Sequence, residues 1–304
     1  MRARRVANWA GLCLLAALGA AAVVPLFALL ADVYVRGAQA IAQLGGLIHF
    51  LTAPPPSPHE TTGGIGPLLA GSLFMTALGA LLGIAVGLPL GVYIGEFGRE
   101  RLAGIARVGV MMFVEIPTVI IGLFVYALAS FVVRDLNEYV LKPLSSALSA
   151  ALGGWTLWFV GPLDMFNAYA GALALALVMV PYVALVTASA YASVGQPLRE
   201  AAYSIGVREF NAIFVVLRKA VSRAVITAAL LGTAKIAGET APLLFTAFGN
   251  VNYAPLTGPT GAVTLWVYYA AQTPYEALVM SAYGASAALL TVILIVFIAA
   301  RVRE

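Results

Sequence analysis

Three charged side chains sit where the surrounding sequence is almost wholly apolar, and they are the first candidates for chemistry. Lys235 and Glu239 lie four residues apart in the run Ala224–Phe248, and Glu115 lies two residues before Pro117 in the run Val108–Val133. On a helix the i, i+4 spacing puts Lys235 and Glu239 on one face, with Thr240 and Pro242 directly after them. A charge at the centre of a membrane span costs about 2.5–3.5 kcal/mol on insertion scales, so each of these groups must face protein or water. Counted from Arg223 at about 1.5 Å per residue, Lys235 lies about 18 Å along the helix and Glu239 about 24 Å. Two readings fit the spacing: a structural ion pair between packed helices, or a charged gate on a path. Glu115, about 10 Å into its own run, reads as a second buried carboxylate that a basic group on a neighbouring helix would meet.

Other chemistry is missing from the sequence. None of the three lysines, Lys142, Lys219 and Lys235, follows a glycine as the phosphate-cradling GxxxxGK[ST] loop requires. There is no HExxH, no GxSxG and no spaced Cys/His set, and the single Cys13 lies in an apolar run. No metal site and no catalytic residue is expected, and no basic stretch interleaved with aromatics points to nucleic acid.

The elements that must position Lys235 and Glu239 follow from composition. Of 304 residues 62% are hydrophobic and 10% charged, against roughly 25% charged in soluble domains. The class is therefore all-α and polytopic. Six spans are expected: Trp9–Ala31, Pro67–Gly95, Val108–Val133, Ala168–Ser193, Ala224–Phe248 and Ala277–Ala300. Each is long enough for a hydrocarbon core of about 30 Å. With the N-terminus inside, the inner segments hold 13 Lys and Arg residues, and the outer ones hold only Arg36, Arg134 and Lys142. That bias places both termini in the cytoplasm of a multi-pass cell-membrane protein. The uncharged Pro143–Leu163 would overturn this orientation if it crossed. Its serines and Gly153-Gly154 argue instead for an external helical hairpin or a re-entrant piece. In the second span Gly79, Gly83, Gly87 and Gly91 recur every four residues, a ridge suited to close helix contact.

The loop before the fifth span has its own logic. Pro197 suits the first turn of a helix and Glu200 its positive end. Leu198, Ala201, Ala202 and Ile205 share a face, Gly206 ends the turn, and Phe210, Ile213, Phe214 and Leu217 line one side of a second helix. From spacing alone this is either a docking surface for another chain or an interfacial helix against lipid headgroups.

Glu200-Ala201-Ala202, Gly206 and Val216 resemble the EAA loop of MetI-like ABC importer permeases, except that Arg218-Lys219 stand where that motif ends in Leu-Pro. Ala237-Gly238-Glu239-Thr240-Ala241-Pro242-Leu243-Leu244-Phe245-Thr246-Ala247 resembles a segment of PstA-type permeases of phosphate importers. Gly63–Gly66, Gly95–Gly98 and Ile116–Tyr126 are similar to the same family. The resemblance covers most of 61–303, with 134–164 as a local insertion. It implies a permease core over 67–304, with 1–66 forming a first membrane helix and external loop. It also implies a coupling helix in 196–218 that docks on an ATPase, through Glu200, Ala201, Ala202 and Gly206. Lys235, Glu239, Thr240 and Glu115 would line or gate the path. The implied partners are a related permease in a heterodimer, two ATPase subunits that bind ATP and magnesium, an extracytoplasmic phosphate-binding protein and membrane lipid. No cofactor is expected in this chain. The alternatives are a permease for another oxyanion and an ion-coupled secondary carrier, for which inverted repeats would be expected.

Overall fold

A computed structural model describes the chain over residues 2–204 and 206–301. Ile205 and Arg303, which the sequence reading used, lie outside the described residues. The helices are α1 (Arg2–Gln43), α2 (Leu47–Thr52), α3 (Gly66–Glu96), α4 (Arg101–Glu115), α5 (Thr118–Leu136), α6 (Lys142–Leu152) and α7 (Ala168–Ala192). They continue with α8 (Gln196–Ser204), α9 (Glu209–Asn211), α10 (Arg218–Ala237), α11 (Leu243–Thr246), α12 (Val263–Ala270) and α13 (Glu276–Arg301). Among the described residues there is no β-strand, only an isolated bridge between Phe248 and Thr260.

The centre of the molecule is the pair α3 and α7, and the glycine ridge makes it possible. A Cβ at Gly83 would lie 2.9 Å from Met179 Cβ, and one at Gly87 2.9 Å from Val183 Cβ. At Gly79 it would lie 3.0 Å from the Ala172 carbonyl oxygen. The facing helix answers with small residues, Ala172, Ala176, Ala184 and Ala188, all buried. Apolar side chains gain nothing by leaving lipid for protein, so such helices hold together by close packing of this kind. α10 lies on the same floor, with Gly232 against Met179 and Val183.

Among the described residues, five helices are long and apolar enough to span a membrane: Gly11–Gln43, Gly66–Glu96, Thr118–Leu152, Ala168–Ala192 and Glu276–Ile298. The expected third span, Val108–Val133, is two helices. Pro117 has no N–H to donate and forces Ile116 into an extended conformation (ψ 125°), so α4 stops at Glu115 and α5 starts afresh at Thr118. The expected fifth span, Ala224–Phe248, also breaks: α10 ends at Ala237, and residues 238–242 are irregular before α11. α10 is too rich in cations (Arg218, Lys219, Arg223, Lys235) to rank with the other five.

The segment Pro143–Leu163 is half of the expected hairpin. α5 continues through a π-helical turn at Asn137–Leu141 into α6, forming one helix from Thr118 to Leu152 about 52 Å long. Gly153, at φ 95°, turns the chain back through a short 3-10 helix at Gly154–Trp158. The returning limb is otherwise non-helical. It is held by Asn137, whose Nδ2 donates to the Leu163 carbonyl (2.8 Å) while its Oδ1 accepts from the Leu163 N–H (2.7 Å).

α1 is far longer than the expected Trp9–Ala31. Its last turns are packed, with Gly37 against Tyr283 and Ala287 of α13 and Ala40 buried, and Leu44 just beyond the helix is buried too. The segment after α2 folds back on that junction, Ile65 donating to the Phe50 carbonyl (2.7 Å) and Gly63 to that of Leu44 (3.1 Å).

The ridge gives a direct prediction. Gly87→Leu overpacks the α3–α7 contact and lowers the stability of the detergent-purified protein by about 1–3 kcal/mol, read as a lower melting temperature. Gly104→Leu, at a site where nothing lies within 4 Å of an added Cβ, leaves the melting temperature unchanged.

Candidate functional site

Lys235 sits in the last turn of α10, and the chain leaves the helix at Gly238. That exit carries Glu239 round to the lysine: Nζ lies 3.1 Å from Oε1, with Lys235 34% and Glu239 14% exposed at their side chains. The ammonium also lies over the Tyr182 ring of α7, 4.6 Å from its centroid, a cation–π contact. Lys235 therefore has partners on two elements, and the i, i+4 expectation holds although the helix does not run through to Glu239.

The backbone around Glu239 is fixed from other directions. Its carbonyl accepts a hydrogen bond from Thr264 Oγ1 of α12 (3.0 Å), and Thr240 follows, half-buried, its carbonyl accepting from the Leu243 N–H (3.1 Å). Gly122 of α5 presses against the Pro242 backbone with no room for a side chain. Asn167, the cap of α7, donates its N–H to the Thr246 carbonyl (2.9 Å) and its Oδ1 accepts from the Ala170 N–H (2.8 Å). Residues 238–248 thus lie clamped between α5, α7 and α12, and Glu239 is presented from irregular backbone. Such backbone is tolerated at membrane depth where protein buries it or where it lines a cavity.

Glu115 does not join this group. It ends α4 and is exposed in the single chain, with no ion pair among the described residues. The reading of it as buried fails because the Pro117 break leaves it at a helix terminus, where no neighbouring helix of this chain covers it.

At the other end of α7, the predicted loop forms. α8 starts at Gln196, and Glu200, Ala201 and Leu198 are exposed while Ala202 is buried. The face expected from spacing is therefore split between solvent and protein. Gly206 has φ +76°, a backbone state that costs other residues about 1–2 kcal/mol, and nothing lies within 4 Å of a Cβ there. The second expected face splits too. Ile213 and Leu217 are buried, whereas Phe210 and Phe214 stack on each other outside (centroids 4.5 Å apart). A π-helical stretch, Ala212–Leu217, changes the periodicity that the i, i+3, i+4, i+7 pattern assumed. From Glu209 to Ala237 the chain is helical without interruption, about 39 Å of rod from the loop to Lys235.

One functional pair escaped the sequence reading. Arg199 of α8 forms an ion pair with Glu96 at the end of α3, and its guanidinium also donates to the carbonyls of Tyr191 (2.7 Å) and Val194 (3.4 Å). Glu96 is almost wholly buried, at 5% side-chain exposure. The signal available was a carboxylate at the C-terminal end of an apolar run, to be paired with a cation in a loop more than a hundred residues away. Because the pair fastens α8 to the central helices, Arg199→Ala leaves a buried carboxylate unpaired and costs about 3–5 kcal/mol locally. Hydrogen exchange over residues 196–204 reads this as a large rise in rate. Glu96→Gln, which leaves Arg199 its two carbonyls, raises the rate less.

Comparison with known proteins places this geometry. Residues 87–304 match the family model described as "Binding-protein-dependent transport system inner membrane component". A probable phosphate transport system permease protein PstA of Methanocaldococcus jannaschii is 32% identical over 95% of this chain and 91% of its own length. The phosphate transport system permease protein PstA of Haemophilus influenzae is 32% identical over 75% of this chain and 71% of its own. Among solved structures, an inward-facing MetNI methionine ABC transporter chain superposes with a TM-score of 0.54 at 17% identity, over 77% of this chain and 93% of that one, a likeness of fold. The match covers the elements that carry both the α8 loop and the Lys235–Glu239 pair, and the relatives are permeases rather than enzymes or secondary carriers. The chain belongs to the inner-membrane components of binding-protein-dependent transport systems, and among them to the PstA-type permeases.

Proposed function

We propose that this chain is the permease subunit of an importer of inorganic phosphate, with ATP hydrolysed by a separate chain. The observation that carries the reading is the unbroken rod from Glu209 to Ala237, which joins an exposed loop to a charged pair inside the membrane. The names of the relatives supply the cargo. In this reading the end bearing Arg199, Arg208, Arg218, Lys219 and Arg223 is cytoplasmic, as its excess of cations supports, and both termini lie on that side.

Glu200, Ala201, Ala202 and Gly206 then meet an ATPase subunit. Two copies of that subunit bind the ATP and magnesium, and this chain holds no cofactor of its own. A related permease completes the path, and the bare Glu115 supports a second polypeptide or a water-filled route on that face. An external phosphate-binding protein delivers the anion at the end carrying the Thr118–Leu152 helix. When the ATPases close, α8 moves, and the rod carries that displacement to Lys235. The irregular stretch 238–242 is held by α5 and α12, so Glu239 stays behind and the pair parts. The freed ammonium is offered to the anion.

Gly206→Glu tests the docking surface. Its side chain meets open space, and because φ +76° strains any residue but glycine, Gly206→Ala carries the same strain as a control: Gly206→Glu reaches the membrane, loses ATPase co-purification and lowers phosphate uptake at least about tenfold beyond Gly206→Ala, equivalent to about 1.4 kcal/mol. Normal uptake and co-purification in this variant would refute the docking role. Lys235→Met and Glu239→Gln each lower uptake in reconstituted vesicles by about tenfold or more, with ATPase binding intact. If both transport at the wild-type rate, the pair is structural only. Selectivity is read in the same vesicles by competition with sulfate and arsenate. Equal uptake of sulfate would make the cargo another oxyanion class.

A further inference from the structure

On the flank of α10 turned away from Lys235, a cavity of about 490 Å³ opens between α3, α7 and α10 at the level where α10 emerges beside α8. Its walls are apolar: Leu88 and Val92 from α3, and Phe214, Val225 and Ile226 from the rod that contains α10. From Arg218 to Ile226 the cavity follows α10 for about 12 Å, so it reaches from the interface into the hydrocarbon. Arg218 and Lys219 stand at its outer rim, both exposed, and neither forms an ion pair among the described residues. Deeper in lies Thr187, fully buried, whose Oγ1 has no hydrogen-bond partner. A buried hydroxyl without a partner is uncommon, and this one is open to a ligand that brings a polar atom.

An occupant must match all three features: an apolar body, an anionic head level with two cations, and a polar atom between them that reaches the hydroxyl. We infer that this cavity binds an anionic phospholipid of the adjoining leaflet, its phosphate at Arg218 and Lys219, its glycerol ester at Thr187 and the start of an acyl chain along Leu88, Val92 and Ile226. The volume lies within the range of about 300–1,000 Å³ typical of ligand sites. Inorganic phosphate would satisfy the two cations but leave the apolar walls facing nothing. The inference rests on the membrane placement of α10 and not on the cargo of the transporter, and occupancy couples the lipid to the same rod that carries the Lys235–Glu239 pair.

The test uses the permease purified with its partner chains in mild detergent, with native mass spectrometry as the readout. Wild type retains phosphatidylglycerol added at equal concentration with phosphatidylcholine, and millimolar inorganic phosphate does not displace it. A basic side chain beside an anionic surface is worth about fivefold in binding, so R218Q/K219Q loses about 25-fold in phosphatidylglycerol retention. Arg223→Gln removes an exposed cation that does not line the cavity and leaves retention unchanged. Equal retention of the two lipids, displacement by inorganic phosphate, or the same loss in R223Q as in the double variant would each overturn the site. Retention is read without transport, so a different cargo would leave this result standing.

Discussion

The backbone of α3 can approach α7 only because one face of it has no side chains, and the rest of the molecule is built on that approach. In lipid the hydrophobic effect does not drive one apolar helix onto another, so contact distance decides whether they associate. Gly79, Gly83, Gly87 and Gly91 remove the obstacle at four successive turns, and the facing alanines of α7 remove it from the other side. The resulting slab is the floor for α10, whose Gly232 seats on Met179 and Val183. That seat sets the height at which Lys235 meets the Tyr182 ring. The electrostatics of the site are thus fixed by a contact that contains no charge.

How much of this was legible in the sequence depended on how local the cause was. The glycine ridge and the Lys235–Glu239 pair rest on spacings of four residues, and both stand. The breaks were less legible. Pro117 is visible in the sequence, but a hydropathy run does not reveal that a proline in it divides one span into two helices and leaves Glu115 at an exposed helix end. The π-helical turn at Ala212–Leu217 adds a residue to the local repeat without any marker residue, so the predicted face of Phe210, Ile213, Phe214 and Leu217 came apart. The Arg199–Glu96 pair spans elements joined only by the folded topology, and no local pattern records it.

The stretch after Ala237 is irregular, yet it is held from several sides. Its neighbours supply what a helix would have supplied: Thr264 donates to the Glu239 carbonyl, the Thr246 carbonyl accepts from Asn167, and Gly122 makes room for Pro242. Unlike a mobile loop, this segment has its geometry specified by three separate helices. Motion of α10 relative to it has a defined stationary reference.

Ending α10 at Ala237 also has a consequence for the sign of the field there. The final carbonyls of a helix amount to about half a negative charge, and Glu239 adds a full one within reach of the single positive charge of Lys235. The closed pair and the helix end together are therefore net negative by about half a charge, a field that repels an anion. Only when ammonium and carboxylate separate does a positive well appear on one side. While it is paired, the ammonium of Lys235 is hidden from the very anions it would attract alone.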